Sequence, residues 1–332
     1  RGDRRCRMSA PTLSVVIPSW NHGELLSACL RSLIAQSRAA DEIIVVDDGS
    51  SPPLAELVAE ISQEIRVIRL AANSGFCVAV NTGIRPASGD FVFLLNNDMT
   101  LEPDALSVLL DTAESQPNTL LTPLVLFESE RNTVYAAGDR VLANGRPESI
   151  GYRAQRASLD LPPQIFGVTG GAALIPRAVF RAIGYFDEKF IAYFEDADFC
   201  MRARLAGYTC ALAPQAVAYH VGSASQSGKT WWRSRQCFRN HALLLIKNFP
   251  GEVIIGNFSA MLRERLHQAG RVISSARVEF GLLRACGVLL GAIVSLWAAL
   301  PQAMRERRMI QRARTITAQE FASRLTPPDA LT

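Results

Sequence analysis

The stretch FVFLLNNDMT, residues 91–100, begins as an apolar run and then changes to three consecutive polar residues. The run 91–95 has the length and composition of a buried strand. Asn96, Asn97 and Asp98 follow it directly. Ligands of open α/β sheets bind beyond the carboxyl ends of the strands. The stretch therefore predicts a core strand that carries a polar site at its end.

Three apolar runs earlier in the chain have the same character, and two segments with helical periodicity separate them. The runs are 13–18, 42–47 and 65–70, and the helical segments are 23–37 and 53–62. Alternation of strand and helix predicts right-handed crossovers onto a parallel sheet. We therefore expect the α/β class, with a mostly parallel, Rossmann-like central sheet flanked by helices.

The second half of the chain has a different organisation. Residues 128–165 are polar and indicate a variable loop region with a hairpin at Asn144-Gly145. A helix is expected from Glu195 to Gly207, followed by strands at 208–214 and 216–220. Beyond residue 250 the sequence becomes an arginine-punctuated helical segment, so we expect a boundary there.

Composition narrows the classes of protein. The chain has 332 residues, a net charge of +4, 48% hydrophobic residues and a mean hydropathy of +0.12. It is long enough for a full core, shows no sign of nucleic-acid binding, and is apolar enough to suggest a membrane surface or a partner. Seven scattered cysteines without a CxxC pair indicate free thiols in a reducing compartment.

The N-terminal residues 1–11 read as a disordered or tag-like segment. They carry charge but no apolar core, so they do not resemble a secretory signal. Met8 is a possible initiator, and the folded part is expected to begin near Pro11.

Carboxylates after two predicted strands raise the question of a metal. Asp47 and Asp48 end the second strand, where acidic residues also cap turns. Asp98 could belong to the N-terminal cap of a helix that begins near Pro103, but it lies early for that role. A ligand for Mg²⁺ or Mn²⁺ is the competing interpretation. His220, which ends a strand, is either structural or a second metal ligand.

A second acidic group, Glu195, Asp196 and Asp198, lies among aromatic residues. Crowded carboxylates beside apolar walls suit a general base, whereas acids in the first turn of a helix also stabilise its dipole. The segment 223–230 departs from the phosphate-binding loop pattern. Trp231 and Trp232 after it either fold over a ligand or pack on a neighbouring helix.

Seven motifs in order resemble the family 2 glycosyltransferases, and more narrowly their bacterial rhamnosyltransferase and galactofuranosyltransferase-like branch. The motifs are SVVIPSWN (14–21), IIVVDDGSS (43–51), NSGF with NTG (73–83), GDFVFLLNNDM (89–99), TGGAALIPR (169–177), GYFDEKFIAYFEDADFCMR (184–202) and HVGS (220–223). The resemblance covers about residues 12–245. It implies a GT-A fold at 12–250, with a nucleotide-sugar half at about 12–100, an acceptor half at about 101–250, and a helical, membrane-proximal segment at 251–332.

The resemblance implies a donor site. Pro18 and Trp20 would line the pocket of a pyrimidine base, and Asp48 would accept a hydrogen bond from its ring N–H. Asn97 would bind the ribose or the sugar. The remaining residues with an implied donor role are Asn21, Asn73, Asn81, and Gly170 and Gly171, whose backbone would approach the donor sugar closely.

The resemblance also implies the chemistry. The family's DxD motif reads Asn96-Asn97-Asp98 here, so Asp98 would ligate Mg²⁺ or Mn²⁺, with His220 as the second protein ligand. Asp196 would be the base that deprotonates an acceptor hydroxyl, with inversion at the anomeric carbon. Acceptor-binding or structural roles fall to Glu195 and Asp198, and acceptor-binding roles to Trp231 and Trp232.

The uncharged stretch 285–304 is long enough to span a bilayer, but Gly287, Gly291, Ser295 and Pro301 weaken it. We expect helices that lie on the inner leaflet, with the arginines that follow meeting anionic lipid. An oligomer interface or a buried helix is the alternative. The protein is thus expected to be cytoplasmic and peripherally bound to the inner face of the membrane.

Three functions remain in competition. The first is an inverting, metal-dependent transferase that takes a sugar from dTDP-rhamnose or a UDP-sugar to a hydroxyl of a lipid-linked or cell-surface glycan. The second is a sugar nucleotidyltransferase, although the position of its triphosphate loop reads SWNHGEL. The third is a non-catalytic, membrane-associated scaffold with a degenerate site.

Overall fold

The structure, a computed structural model, describes residues 10–161, 164–222 and 230–327. Most of the predicted N-terminal tail and residues 223–229 lie outside these ranges. The strands are β1 (Leu13–Ser19), β2 (Glu42–Asp47), β3 (Arg66–Arg69), β4 (Phe91–Leu95), β5 (Met99–Leu101), β6 (Thr119–Phe127), β7 (Val134–Ala136), β8 (Asp139–Val141), β9 (Pro147–Ser149), β10 (Ala172–Pro176) and β11 (Thr209–His220). The helices are α1 (Gly23–Ile34), α2 (Ala55–Ile61), α3 (Phe76–Ile84), α4 (Ala105–Ser115), α5 (Arg177–Ile183), α6 (Glu195–Leu205), α7 (Thr230–Asn248), α8 (Gly251–Gly256), α9 (Phe258–Phe280), α10 (Leu282–Ala313) and α11 (Ala318–Ser323).

The first four strands form the predicted parallel sheet, in the order β3-β2-β1-β4. Alternate residues of β1 enter different cores. Val15 and Ile17 pack with Leu30 of α1, whereas Val16 packs with Val80 of α3. Because both faces are covered by helices, β4 and the centres of β1 and β2 are nearly continuous apolar runs. The α/β prediction is confirmed, and α3 is a helix that the sequence did not reveal.

The second half of the sheet is mixed. β10 lies antiparallel between β4 and β6, β11 runs parallel to β6, and β5 pairs antiparallel with β11. β6 was not predicted, although all nine of its residues are buried. The two strands expected at 208–214 and 216–220 form the single strand β11, whose pairing with β6 shifts after Ala213. The fold is therefore an α/β sheet with parallel and antiparallel parts.

The predicted hairpin at Asn144-Gly145 joins β8 to β9. The Leu142 N–H donates to the Arg146 carbonyl over 2.9 Å, and Gly145 has a φ of 86°. Its turn packs against the helical region, since the ring of His241 on α7 contacts the Asn144 carbonyl at 3.1 Å.

The helices after residue 250 pack on α7. Leu243 and Phe190 form one cluster with Ala303 of α10, and Phe238 forms another with Val272 of α9. α7 thus contacts α6 and the β8–β9 turn on one side, and α9 and α10 on the other.

Candidate active site

The exit of β2 carries two buried carboxylates with different partners. Asp48 accepts hydrogen bonds from the Ser74 N–H at 2.7 Å and the Gly75 N–H at 3.0 Å. Burial raises the pKa of Asp48, and the charge of Asp47 adds to this effect. Each oxygen of Asp48 keeps a lone pair after these bonds. Asp48 therefore holds the loop that begins at Asn73 and can still accept one more donor.

Asp47 and Gly49 fix the turn on the other side of Asp48. Burial opposes ionisation of Asp47, but hydrogen bonds from Ser50, Leu54 and Arg69 outweigh it and lower the pKa of the carboxyl. Gly49 has a φ of 74°, and a Cβ there would lie 2.6 Å from the main chain of Ala72. Only glycine fits this turn.

The exits of β1 and β4 are joined by a hydrogen bond from Asn97 Nδ2 to Ser19 Oγ at 2.9 Å. Beyond Ser19 the chain turns through Asn21, whose φ is 57° and whose Oδ1 accepts from the Ser51 N–H at 3.0 Å. Trp20 between them is 48% exposed. Asp48, Asn97, Asn21 and Trp20 are therefore brought to one edge of the sheet, as the sequence predicts, together with Pro18 and Asn73.

The side chains of Asp98, in the turn just before β5, and of His220, at the end of β11, are paired although they are 122 residues apart in sequence. β5 and β11 are in register with His220 opposite Met99, and His220 Nε2 lies 3.1 Å from Asp98 Oδ2. Both residues are less than a tenth exposed. The edge of the His220 ring is set against Tyr135 with a centroid distance of 4.3 Å. Since α4 begins at Ala105, after β5, Asp98 does not cap a helix.

The donor set of this pair fits a hard divalent cation. Asp98 Oδ1 and His220 Nδ1 are buried and have no hydrogen-bond partner, so each side chain keeps an unused electron pair or proton. No group of three or more His, Cys, Asp or Glu suited to a metal occurs in the described ranges. A cation held by this pair would take its remaining ligands from a bound anion or water, as is usual for Mg²⁺.

A pair of glycines connects this edge to the second acidic group. The Asn96 N–H donates to the Gly171 carbonyl at 2.8 Å, and the Gly170 N–H lies 3.4 Å from Asp196 Oδ2. A Cβ at Gly170 would lie 2.9 Å from the Cβ of Asp196. Neighbouring protein atoms therefore already require glycine at these positions. Close approach of the Gly170 and Gly171 backbone to a donor sugar remains a prediction.

Asp196 lies among two other carboxyls, those of Glu195 and Asp139. Burial, followed by the charge of Asp196, raises the pKa of Glu195 to about 8 and the pKa of Asp139 to about 8. Burial also raises the pKa of Asp196, against hydrogen bonds from the Ala197 and Gly170 amides that favour its ionised form. The three carboxyls therefore titrate together, and Asp196 is the member whose ionised form two backbone amides favour.

The sequence reading missed Asp139, which it had assigned to the variable loop region. Asp139 exchanges backbone hydrogen bonds with Gly167, at 2.9 and 3.0 Å, and its side chain accepts from Ser149 Oγ at 2.9 Å. No local pattern marks it, because its position beside Asp196 depends on the packing of 167–170 between the two.

The backbone just before Asp196 is strained, and α7 holds it. Ile191, Tyr193 and Phe194 have φ values of 62°, 68° and 73°. Asn240, which is fully buried, has its Nδ2 within 2.9 Å of three carbonyl oxygens of this segment, those of Phe190, Ala192 and Tyr193. Left-handed backbone is unfavourable for residues with a Cβ, so it persists only where surrounding contacts impose it.

α7 carries a second polar pair two turns later. Lys247 contacts both Asp187 and Glu306, and its Nζ lies 3.0 Å from Asp198. Asp198 is fully buried and also accepts from Arg202 at 2.9 Å and Asn248 at 2.9 Å. These cations hold the pKa of Asp198 at about 2 despite its burial. Asp198 is therefore a structural residue that fixes α6, and it has no oxygen free for an acceptor.

The surroundings of Asn81 do not fit the donor-binding role that the sequence predicted for it. It is 1% exposed, and its amide donates to the Phe186 carbonyl at 2.9 Å and Glu188 Oε1 at 3.0 Å while accepting from the Phe186 N–H at 3.0 Å. It lines a separate cavity of about 770 Å³ between 182–189 and the end of α10. Asn81 therefore joins α3 to this loop, and it does not face the donor edge.

The two tryptophans at the start of α7 have different neighbours. Trp231 packs edge-on against Phe280 of α9 with ring centroids 5.4 Å apart, as in the packing interpretation. Trp232 faces Tyr193 at 6.1 Å, and Arg233 lies over the same tyrosine ring at 5.3 Å. Trp232 is thus the tryptophan on the side of Glu195 and Asp196.

Comparison with known proteins places these features in context. An uncharacterized protein of Sinorhizobium fredii is 28% identical over 69% of this chain, which covers 26% of that protein's length. N-acetylglucosaminyl-diphospho-decaprenol L-rhamnosyltransferase of Mycobacterium tuberculosis is 26% identical over 63% of this chain and 75% of its own. The crystal structure of GalNAc-T7 with UDP, GalNAc and Mn²⁺ superposes with a TM-score of 0.57 at 15% identity, over 82% of this chain and 59% of that one.

The structural likeness identifies the architecture as the GT-A fold. The sequence profile described as Glycosyl transferase family 2 matches residues 14–184, which is more than half of the chain. The same span contains the paired strand exits, Asp98 and the two glycines. This chain therefore belongs to glycosyl transferase family 2.

Proposed function

We propose that this glycosyltransferase moves a sugar, with inversion, from dTDP-rhamnose or a UDP-sugar to a hydroxyl of a lipid-linked or cell-surface glycan. The observation that carries the proposal is one continuous line of contacts. It runs from Ser19 and Asn97 to the Asp98–His220 pair, and through Gly171 and Gly170 to Asp196.

The donor nucleotide binds at the exits of β1 and β2. Trp20 and Pro18 lie against the base, and the remaining lone pairs of Asp48 accept from the ring N–H of a pyrimidine. Asn97 keeps one amide hydrogen and its oxygen for the ribose or the sugar. Asn21 and Asn73 shape the rim of the same site.

Asp98 and His220 would hold Mg²⁺ or Mn²⁺ at the diphosphate. Such an ion would supply positive charge to the leaving diphosphate as the glycosidic bond to it breaks. The orphaned Asp98 Oδ1 supports this assignment, because a buried carboxylate oxygen without a partner is costly unless a ligand satisfies it.

Asp196 accepts the proton of the attacking hydroxyl. Protonated Glu195 and Asp139 leave it as the charged member of the cluster, and burial makes it more basic than an exposed aspartate. Attack from the side opposite the diphosphate inverts the anomeric centre. The acceptor lies between Asp196 and the Tyr193–Trp232 pair, with Glu195 within reach of its hydroxyls.

A lipid-linked acceptor is supported by the rhamnosyltransferase relative, whose name specifies a diphospho-decaprenol acceptor. A location at the inner face of the cytoplasmic membrane is part of the same proposal. A thermal-shift panel of dTDP-, UDP- and GDP-sugars with and without Mn²⁺ or Mg²⁺ tests the proposal. We expect one carrier to raise Tm, and a divalent ion to increase the shift.

A panel without any shift would overturn the proposal in favour of the non-catalytic scaffold. Release of pyrophosphate from a nucleoside triphosphate would instead favour the nucleotidyltransferase, which family membership already argues against.

A further inference from the structure

α10 has two faces with opposite surroundings. Its inner face carries the buried alanines Ala285, Ala292 and Ala303, which allow close packing on α7 and α9. Its outer face carries large apolar side chains that no described residue covers, among them Leu283, Leu290, Val294, Trp297 and Met304.

The spacing of the outer residues places them in one stripe. Steps of three, four and seven residues keep side chains on one side of a helix. From Leu283 to Met304 the stripe is about 32 Å long, at 1.5 Å per residue. Trp297 in this stripe is 68% exposed and Leu283 is 90% exposed. Such a continuous apolar surface marks an interaction site rather than ordinary surface variation.

Positive charge borders the stripe. Arg284 lies at its beginning, and Arg305, Arg308 and Arg312 continue the same helical face beyond Met304, all exposed. Residues 251–314 contain ten arginines and four glutamates, whereas the whole chain has a net charge of only +4. From 280 to 305 the sequence contains no acidic residue. The partner of this face must therefore combine an apolar region with negative charge.

We propose that the outer face of α10 binds the surface of an anionic lipid bilayer, with the helix lying in the plane of the membrane. An apolar stripe of this length with a central tryptophan and terminal arginines matches the acyl boundary and the acidic headgroups of such a surface. This proposal identifies the surface to which the proposed glycosyltransferase binds. It rests on the proposed function in one respect only, which is that the acceptor is linked to a lipid.

The inner face explains why α10 lies on a membrane instead of crossing it. By length and composition it is the one described helix that could span a bilayer. However, Arg239 Nε donates to Ser295 Oγ at 3.0 Å and Lys247 lies 3.1 Å from Glu306. Arg307 donates at 2.7 Å to the carbonyls of Ile246, in α7, and Phe249, just after it. A spanning α10 would have to leave these partners unpaired or bring α7, with its buried cations, into the hydrocarbon.

The test is co-sedimentation of the full chain with vesicles of phosphatidylcholine, with and without 30% phosphatidylglycerol. We expect binding to the anionic vesicles. Leu290→Glu should weaken it strongly, and the triple variant Arg305→Ser, Arg308→Ser and Arg312→Ser should weaken it by roughly a hundredfold, since each arginine near such a surface contributes about fivefold. The matched control is Ile34→Glu, a substitution of an exposed apolar residue on α1, which should bind normally.

The depth of Trp297 in the bilayer distinguishes an α10 that lies on the membrane from one that crosses it. Trp297 is close to the middle of the apolar stretch, so lipids brominated near the headgroup should quench it more than lipids brominated near the chain end. The Trp297→Phe variant supplies the background from the other tryptophans. Stronger quenching from the chain end would overturn the in-plane orientation.

Two further outcomes would show that the outer face of α10 does not bind a membrane. One is equal sedimentation of the wild type and Leu290→Glu. The other is a dimer that Leu290→Glu converts to a monomer without any vesicle binding, which assigns the face to a second copy. Thermal shift by nucleotide sugars, measured on the same preparations, separates these results from failure of the proposed transferase function, because the donor edge lies on the sheet and not on α10.

Discussion

The side-chain amide of Asn240 lies 2.9 Å from the carbonyl oxygen of Tyr193, so a residue of α7 fixes the backbone that leads directly into Asp196. Three residues of that segment occupy left-handed backbone, each at a cost on the order of 1–3 kcal/mol. The position of the proposed base therefore depends on a helix that comes more than thirty residues later in the chain.

Asn240→Ala should relax the segment and lower kcat, while the Kd of the nucleotide sugar stays unchanged. Loss of its hydrogen bonds and packing should lower the free energy of unfolding by about 2–4 kcal/mol. Steady-state kinetics and urea denaturation measure the two effects. Asn257→Ala is the control, because within the described ranges the side chain of Asn257 donates only to the carbonyl of Val253, four residues earlier. A higher donor Kd at unchanged kcat would contradict the role.

Asp196→Asn should reduce transfer by 10²–10⁴-fold, the usual contribution of a general base. The amide is nearly isosteric, so donor binding should persist. Single-turnover transfer and donor titration separate the two quantities. Full activity in Asp196→Asn would assign the base to another residue, and Glu195→Gln, measured beside it, would show whether its neighbour is that residue.

Asp98→Asn should abolish the additional binding of Mn²⁺ that a nucleoside diphosphate produces. An amide is a poorer ligand than a carboxylate for hard divalent cations. The electron paramagnetic resonance signal of free Mn²⁺, titrated with protein in the presence of UDP or dTDP, reports this directly. Cys286→Ser, an exposed change on α10, serves as the control. Unaltered Mn²⁺ uptake by Asp98→Asn would place the cation elsewhere.

Gly170→Ala should displace Asp196, because the new Cβ would lie 2.9 Å from the Cβ of that residue. We expect a large loss of kcat with a small change of donor affinity. If the glycine served close approach to the sugar instead, donor affinity would fall first. Gly270→Ala on α9, which has no atom within 4 Å of the added Cβ, is the control for a harmless substitution.

The raised pKa of Glu195, about 8, predicts how stability depends on pH. Unfolded glutamate titrates near 4.3, so between about pH 4.5 and pH 8 the folded protein holds a proton that the unfolded chain has lost. The free energy of unfolding must therefore fall as pH rises through this window. Glu195→Gln should flatten the curve by up to about 1.4 kcal/mol per pH unit.

Urea denaturation at several pH values between 5 and 8 measures this difference. Asp139 contributes in the same direction, so some slope should remain in the variant. Glu60→Gln, at an exposed position of α2, should leave the curve unchanged. Parallel curves for the wild type and Glu195→Gln would show that Glu195 is charged in the folded state.

The predictable parts of this fold are those that local pattern determines. The strands at 13–18, 42–47 and 91–95 were found because parallel strands covered on both faces are nearly continuous apolar runs. β6 was missed, although all nine of its residues are buried, because Thr122 and Pro123 interrupt its apolar run and proline argues against an interior strand. α3 was missed because its polar residues Asn81 and Thr82 interrupt the apolar pattern.

The residues of the site also fall into two groups, those that a local sequence pattern marks and those that it does not. Asp98, His220 and Asp196 stand out because polar residues end apolar strands or begin a helix. Asp139 and Asn240 do not stand out, because what they do depends on contacts with residues far away in sequence. One signal was available: α7 carries polar pairs at 239–240 and 247–248, two helical turns apart on one side of an otherwise apolar stretch.

The irregularity in β11 has a consequence for how this site can change over evolutionary time. Between Ala213 and Val217, three residues of β11 have no partner on β6, and the strand then resumes pairing up to His220. Side chains alternate between the two faces of a strand, so a one-residue slip in the pairing that resumes after this bulge would turn His220 away from Asp98 while the apolar sequence around it stayed intact. The register at which β11 resumes its pairing with β6 is therefore itself part of the site.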